Sequence, residues 1–226
     1  MVQKRSKTLE KPQKSPPEAE SAPRGRGRPR QYDPERALAN AAEVFWKYGY
    51  AATSLDDLAA ATGMNRPSLY AAFGDKRDLY LKTLERYQQR SRAIGQEIIA
   101  DDPPLRVFLR RFYDAALDIY LATGDEARGC YSISTAPAQA TTDPAVRDFL
   151  GASIGGTDAF IGRQIVKAIE RGEVPSKASP GALAQIATAT MHTIAVRARV
   201  GIARKELTAI AAAAIDLICG QKKSSR

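Results

Sequence analysis

The stretch from Thr53 to Leu79, TSLDDLAAATGMNRPSLYAAFGDKRDL, constrains the fold more than any other part of the chain, because it predicts two short helices held at a fixed angle by a glycine turn. Thr53 or Ser54 can offer a side-chain oxygen to the free amides of the first helix, and Asp56 and Asp57 fall in its first turn, where the helix dipole favours negative charge. Leu55, Leu58, Ala59 and Thr62 share one face. Gly63 ends this helix as a residue that tolerates positive φ. Met64 can close the corner, Asn65 is a capping residue for a second helix, and Pro67 falls in that helix's first turn, where a missing N–H costs nothing. The second helix is short, Arg66 to about Phe73, and Gly74 closes it. Two helices joined by a three- or four-residue turn containing glycine form a helix-turn-helix, the arrangement that lays its second helix in the DNA major groove.

Helix-glycine-helix occurs in many all-α proteins, so the particular residues matter. Gly63-Met64-Asn65-Arg66-Pro67-Ser68-Leu69-Tyr70, followed by Phe73, Lys76 and Leu79, closely resembles the signature of the tetracycline-repressor (TetR) family of bacterial transcriptional regulators. The resemblance spans roughly residues 30 to 80. It implies that Leu69 and Phe73 pack into a small helical domain, and that Asn65, Arg66, Ser68, Tyr70 and Lys76 face DNA. Ala72 stands where many members carry a larger aromatic or His side chain, which removes one expected phosphate contact. The resemblance also implies a larger helical domain that binds a small molecule, and dimerisation through the last two helices.

The formal charge of +9 acquires meaning once it is located. Residues 1–30 hold nine Lys or Arg against three Glu, a net +6, while residues 31–90 hold eight of each sign and the remainder holds 17 against 14. The excess is concentrated in a tail rich in Lys, Pro, Ser and Glu and lacking aromatics, which cannot bury surface and is expected to be disordered over residues 1–30. Residues 1–22 read as a solvated extension. Residues 23–30, Pro-Arg-Gly-Arg-Gly-Arg-Pro-Arg, resemble the AT-hook, an extended segment that lies in the minor groove of A/T-rich DNA. Glycines let the backbone approach the groove floor, and guanidinium groups enter a region of enhanced negative potential. Arg26, Arg28 and Arg30 are therefore expected to act as an arm joined to the first helix, as in homeodomains.

That helix is predicted to start after Asp33, with Pro34 at its first position and Glu35 in its first turn, and to end at Gly49. Leu38, Ala41, Ala42, Phe45 and Trp46 give it an apolar stripe, and Tyr50 and Thr53 follow within reach of phosphate. A long helix from Lys76 to about Ile99 then links the small domain to the rest and can transmit a rotation. After Asp101-Asp102-Pro103-Pro104 the chain reads as helices throughout: Leu105 to Leu121, Ser132 to about Ala140, Pro144 to Glu170, Pro180 to Val200 and Lys205 to Cys219. No stretch alternates convincingly with period two, so no sheet is expected. The expected fold class is all-α: a three-helix helix-turn-helix domain over residues 31–78, a larger ligand-binding and dimerisation domain over 79–221, and a disordered tail over 222–226. The helix from Pro144 carries Gly151, Gly155, Gly156 and Gly162, each costing about 1 kcal/mol against Ala. It is therefore either kinked there or closely approached by another helix.

Candidates for the small-molecule site are Phe112, Tyr113, Tyr120, Tyr131, Phe149, Phe160 and His192. A mainly apolar wall with a few phenols suits an aromatic or lipophilic compound. Leu183, Ile186, Ala187, Thr190, Ile194 and Ala198, then Leu207, Ile210, Ala211, Ala214, Ile215 and Ile218, line the last two helices with small and β-branched side chains. Such faces suit a second copy packing across a two-fold axis as a four-helix bundle; the competing reading is that both helices close the monomer's own core. Cys130, after Arg128-Gly129, reads as a buried, inert thiol in preference to an oxidant sensor.

One histidine and two distant cysteines, Cys130 and Cys219, cannot supply a structural zinc site or a disulfide framework, and they leave no evident acid–base pair for a helical enzyme. No cofactor is expected. The basic N-terminus has no apolar run behind it and no segment approaches the length of a membrane span, so a cytoplasmic location is expected. These features converge on a homodimeric, sequence-specific DNA-binding regulator, a repressor released from a pseudo-palindromic operator by a small-molecule effector. The alternatives are a nonspecific architectural DNA-binding protein, which would share the basic arm without needing the helix-turn-helix, and, less favoured, a helical enzyme.

Overall fold

The computed structural model describes residues 33–121, 128–175 and 177–220, which form nine helices and no strand. Arg26, Arg28 and Arg30, with the rest of the expected arm and the tail 222–226, lie outside the described residues. In chain order the helices are α1 (Pro34–Ala52), α2 (Leu55–Thr62), α3 (Arg66–Phe73), α4 (Lys76–Ile98), α5 (Leu105–Tyr120), α6 (Tyr131–Gln139), α7 (Pro144–Glu170), α8 (Pro180–Arg199) and α9 (Arg204–Cys219).

Most helix starts follow from their first four residues. The Asp33 carboxylate accepts from the amides of Glu35 and Arg36 ahead of Pro34, which satisfies donors that a helix leaves open. Ser54 with Asp57, and Asp75 with Asp78, close capping boxes at α2 and α4. Gly49, at φ 78° and ψ 169°, interrupts α1 and leaves its last residues as a separate turn. The Thr53 hydroxyl then donates to the Gly49 carbonyl oxygen at 2.7 Å.

Two apolar cores result. The first is built under the helix-turn-helix by Phe45, Trp46, Leu58, Leu69, Phe73, Leu79, Tyr80 and Leu84, and it continues without a break onto Tyr131, Ala136 and Val146 of α6 and α7. The second fills the space among α5, α7, α8 and α9 with Phe108, Leu109, Leu117, Ile161, Ile165, Ile194 and Leu207. Each such Leu, Ile or Phe contributes about 1.5–3 kcal/mol by leaving water. Arg77 of α4 pairs with Asp143, the N-cap of α7, at 2.5 Å, so one carboxylate both starts α7 and holds the base of α4. That guanidinium keeps the Asp143 carboxyl below the usual carboxylate range.

The glycine-bearing helix resolves differently from either sequence expectation at most positions. α7 runs unbroken from Pro144 to Glu170, and a Cβ added at Gly151, Gly155 or Gly156 would meet open space. Only at Gly162 does a neighbour come near, the Ala184 Cβ at 3.8 Å. The last two helices also divide their faces: Ala187, Ile194, Ala198, Leu207, Ala211, Ala214, Ile215 and Ile218 are buried within the monomer. The large apolar side chains left exposed there are Ile186, Val196, Val200 and Leu217. Because Gly151 is helical and unopposed, Gly151→Ala is expected to raise stability by about 0.5–1 kcal/mol. A higher thermal midpoint would show it; a lower one would mean that this face of α7 is packed in the assembled protein.

Candidate nucleic-acid interface and the cavity behind it

The α2–α3 corner is fixed by Gly63 at φ 68°, with Met64 buried beneath it and the Asn65 side chain accepting from the Ser68 amide at 2.9 Å. Leu58, Leu69 and Phe73 anchor both helices from below. The opposite face of α3 is open: Asn65, Arg66, Pro67 and Tyr70 are exposed and Ser68 is half-buried. Tyr70 keeps 47% of its surface accessible, an unusual placement for so large an apolar ring. Arg66 is occupied in a bidentate pair with Asp56, at 2.9 Å from Nε and 2.6 Å from Nη2.

Lys76 stands with its ammonium 4.5 Å from the centroid of Tyr50, and its partial burial lowers its pKa. Thr53 departs from the expectation of a phosphate contact through its side chain: it is buried, because its hydroxyl closes the turn at Gly49. The polar groups on the open face of the corner are therefore Asn65, Ser68, Tyr70 and Arg66, the last held by Asp56.

Behind this head lies a polar seam inside an aromatic cluster. The Tyr80 hydroxyl donates to Thr135 Oγ1 at 2.7 Å, and the hydroxyls of Thr83 and Tyr131 share a hydrogen bond at 2.7 Å. Burial pushes the Tyr80 phenol up to about 12 and Tyr131 well above its ordinary value, so both stay neutral. The Trp46 indole donates to the Arg128 carbonyl at 3.1 Å, and the Arg199 guanidinium of α8 donates to the carbonyls of Trp46 and Arg128 at 3.2 and 3.1 Å. Arg128 itself pairs with Glu43 and lies over the Trp46 ring. Gly129, at φ 64°, passes so close to α8 that a Cβ would collide with the Ala195 carbonyl oxygen.

A cavity of about 430 Å³ opens on the other side of this seam, bounded by α4, α5, the start of α6, α7 and α8. Phe112, Tyr120, Phe160 and His192 line it. Tyr113, Tyr131 and Phe149 do not. The Tyr113 hydroxyl reaches back to the Ala187 carbonyl at 3.1 Å, Tyr131 is turned toward Thr83, and Phe149 packs with the head's core. Burial pulls the His192 pKa down, with Asp158 opposing, so the imidazole is neutral near pH 7. Tyr87 donates to Cys130 Sγ at 3.5 Å, and both face the cavity.

Sequence reasoning missed Arg92 and Arg163, which also line it. The signal was present as helical spacing. Gln88, Ser91, Arg92 and Gly95 share one face of α4, and Ser153, Gly156, Thr157, Phe160 and Arg163 one face of α7. No group of three or more His, Cys, Asp or Glu suited to a metal occurs among the described residues, and none of their helices is long and apolar enough to cross a membrane.

Residues 37–83 match the family described as bacterial regulatory proteins, tetR family, and residues 107–214 match the tetracyclin repressor-like C-terminal domain. The chain is 33% identical over 149 residues to the uncharacterized HTH-type transcriptional regulator YezE of Bacillus subtilis (strain 168), covering 66% of this chain and 76% of that protein. The chain belongs to the TetR family of bacterial transcriptional regulators. As such it is a regulator and not an enzyme. The regulator is also 27% identical over 195 residues to the HTH-type transcriptional repressor ComR of Escherichia coli (strain K12), covering 86% of this chain and 92% of ComR. Among solved structures, a cysteine mutant of the TetR family transcriptional regulator CifR complexed with 26-bp double-strand operator DNA has a TM-score of 0.75 at 28% identity, covering 85% of the regulator and 100% of that chain.

The Gly129 contact places a test of the seam within reach. Gly129→Ala forces both a strained φ and a clash with the α8 backbone, and is expected to lower stability by about 1–3 kcal/mol in chemical denaturation. An unchanged midpoint would mean that residues 128–130 are not seated against α8 in solution.

Proposed function

We propose that the regulator is a homodimeric, cytoplasmic repressor that reads a pseudo-palindromic operator with α3 and releases it when a small aromatic or lipophilic molecule fills the cavity. One observation carries the coupling. Cys130 and Ser132 line the cavity, while Tyr131 between them belongs to the core of the head. Tyr87 repeats the relation from α4, facing the cavity while its ring meets Trp46 at 5.5 Å and Tyr131 at 5.6 Å between centroids. A ligand that displaces Tyr87 or the start of α6 must move Tyr131 and Trp46, and with them α1 and the tilt of α3. Such a ligand shifts the equilibrium only by the difference in its affinity for the two arrangements.

The second copy is supported by the exposed Ile186, Val196, Val200 and Leu217, which a monomer leaves in water. DNA recognition is supported by the open face of α3 and by the operator complex of CifR. Within this reading Tyr70 and Ser68 read the site, Asn65 caps α3 against a phosphate, Lys76 approaches the backbone, and Arg66 exchanges Asp56 for phosphate or base. The small domain of residues 31–78 is the reading head, and residues 79–221 regulate and dimerise. The arm of Arg26, Arg28 and Arg30 supplies minor-groove contact, since residues 31–90 carry no net charge of their own.

Tyr70→Ala is expected to lower operator affinity at least tenfold in a mobility-shift titration while leaving the dimer's thermal midpoint unchanged; full retained affinity would remove α3 from the interface. Deleting residues 1–30 is expected to weaken binding and to flatten the dependence of log affinity on log salt by about 3, one counterion for each arginine withdrawn from a phosphate. Operator binding unaltered by the deletion at physiological salt would rule out the arm.

A further inference from the structure

The cavity's lining has a charge character that its apolar walls conceal. Its ionised side chains are Arg92 from α4 and Arg163 from α7, and neither Asp, Glu nor Lys accompanies them. The remaining titratable lining groups are phenols, a thiol and His192, and burial keeps Tyr87, Tyr120 and His192 uncharged near pH 7. Neither guanidinium has a carboxylate partner among the described residues, whereas Arg106, Arg111, Arg171 and Arg204 of the same helical body each hold one. Both lining arginines are exposed, which sets them toward the solvent side of the cavity, while Phe112, Ile119, Phe160 and Met191 are partly buried lining residues.

This layering points to a ligand of matching polarity. We infer that the effector is an organic carboxylate whose anionic head is held at the mouth by Arg92 and Arg163 and whose apolar body lies against Phe112, Ile119, Phe160 and Met191. The inference rests on the reading of this cavity as the effector site. A planar guanidinium meets a carboxylate through two parallel hydrogen bonds, and charge assistance makes such bonds about twice as strong as neutral ones. At a half-open mouth the carboxylate keeps part of its hydration, so the desolvation that makes buried ion pairs unprofitable is small there. An alkylammonium would instead meet two like charges, with Asp158 acting on His192 from outside the lining as the nearby acid, and a neutral lipophile would leave both guanidiniums without a partner. Ser153 and Thr157 on α7 and Gln88 and Ser91 on α4 add neutral hydrogen-bonding groups around the same space. A volume of about 430 Å³ falls in the range that holds small organic molecules.

The test uses the full-length protein and three probes with one apolar body, decanoate, decanol and decylamine, titrated calorimetrically below their micelle concentrations. Decanoate is expected to bind at least tenfold more tightly than decanol, with decylamine weakest. Arg92→Gln and Arg163→Gln are each expected to cut decanoate affinity severalfold while leaving decanol unchanged, because only the anionic head uses them. Gly156→Phe, which sets a ring at the mouth where a Cβ meets open space, should abolish binding of all three. Decanol binding as tightly as decanoate, and blocked by Gly156→Phe, overturns the carboxylate while leaving the cavity as effector site. Binding of any probe that survives Gly156→Phe, or no binding by any probe, overturns both. An equal loss of decanol and decanoate in the arginine variants would make those side chains structural, and would also overturn the inference.

Discussion

The structure depends on keeping Tyr131 dry. Its ring is fully buried between Trp46, Tyr80 and Tyr87, and its hydroxyl has one protein partner, Thr83. A buried hydroxyl deprived of its partner costs about 1–3 kcal/mol, so α4 and α6 are held in one register. The Tyr80–Thr135 hydrogen bond repeats the constraint one turn away. Because Tyr80 and Thr83 belong to the same helix that starts just after α3, the orientation of the reading head is set by what α6 does. The start of α6 in turn forms part of the cavity wall.

Residues 128–130, just ahead of α6, tie this arrangement to α1 and α8. Trp46, Arg128 and Arg199 exchange hydrogen bonds through backbone carbonyls, and Gly129 lies against the α8 backbone where a side chain would not fit. Packed interiors respond to a perturbation by switching between discrete arrangements and not by yielding gradually. On the proposed coupling, a small displacement at Cys130 or Ser132 would be passed to α1 and to α8, the first in the head and the second beside the exposed apolar residues proposed to meet a second copy.

Electrostatics divides labour in a way the total charge hides. Residues 31–90 carry no net charge, and Arg66 on α3 is bound to Asp56 in an exposed pair of the kind that adds little to stability. So weak a pair would yield to a phosphate at little cost, which suits the DNA contact proposed for Arg66. The strongly basic segment is the one before Asp33, where charge can act at long range and steer the encounter.

The helix-turn-helix was legible in the sequence almost residue by residue. Capping residues, a glycine that must take positive φ, and a proline in a first turn act through local backbone chemistry, and Ser54, Gly63, Asn65 and Pro67 take the places their types require. The order and lengths of α4 to α9 followed from period and breakers for the same reason. The cavity was only half legible. Phe112, Tyr120, Phe160 and His192 line it, but Tyr113, Tyr131 and Phe149 share their composition and spacing and lie elsewhere. Aromatic type states that a ring will be buried and not against which neighbour. Arg92 and Arg163, far apart in the chain and unremarkable within their helices, acquire a common role only because α4 and α7 pack around one space. The sequence alone determined which segments are helices and how they begin and end, since those are properties of adjacent residues. Which buried phenol became a strut and which a wall, and which apolar stripe on α8 and α9 faced inward, was decided by long-range packing, because those outcomes depend on partners that no local pattern names.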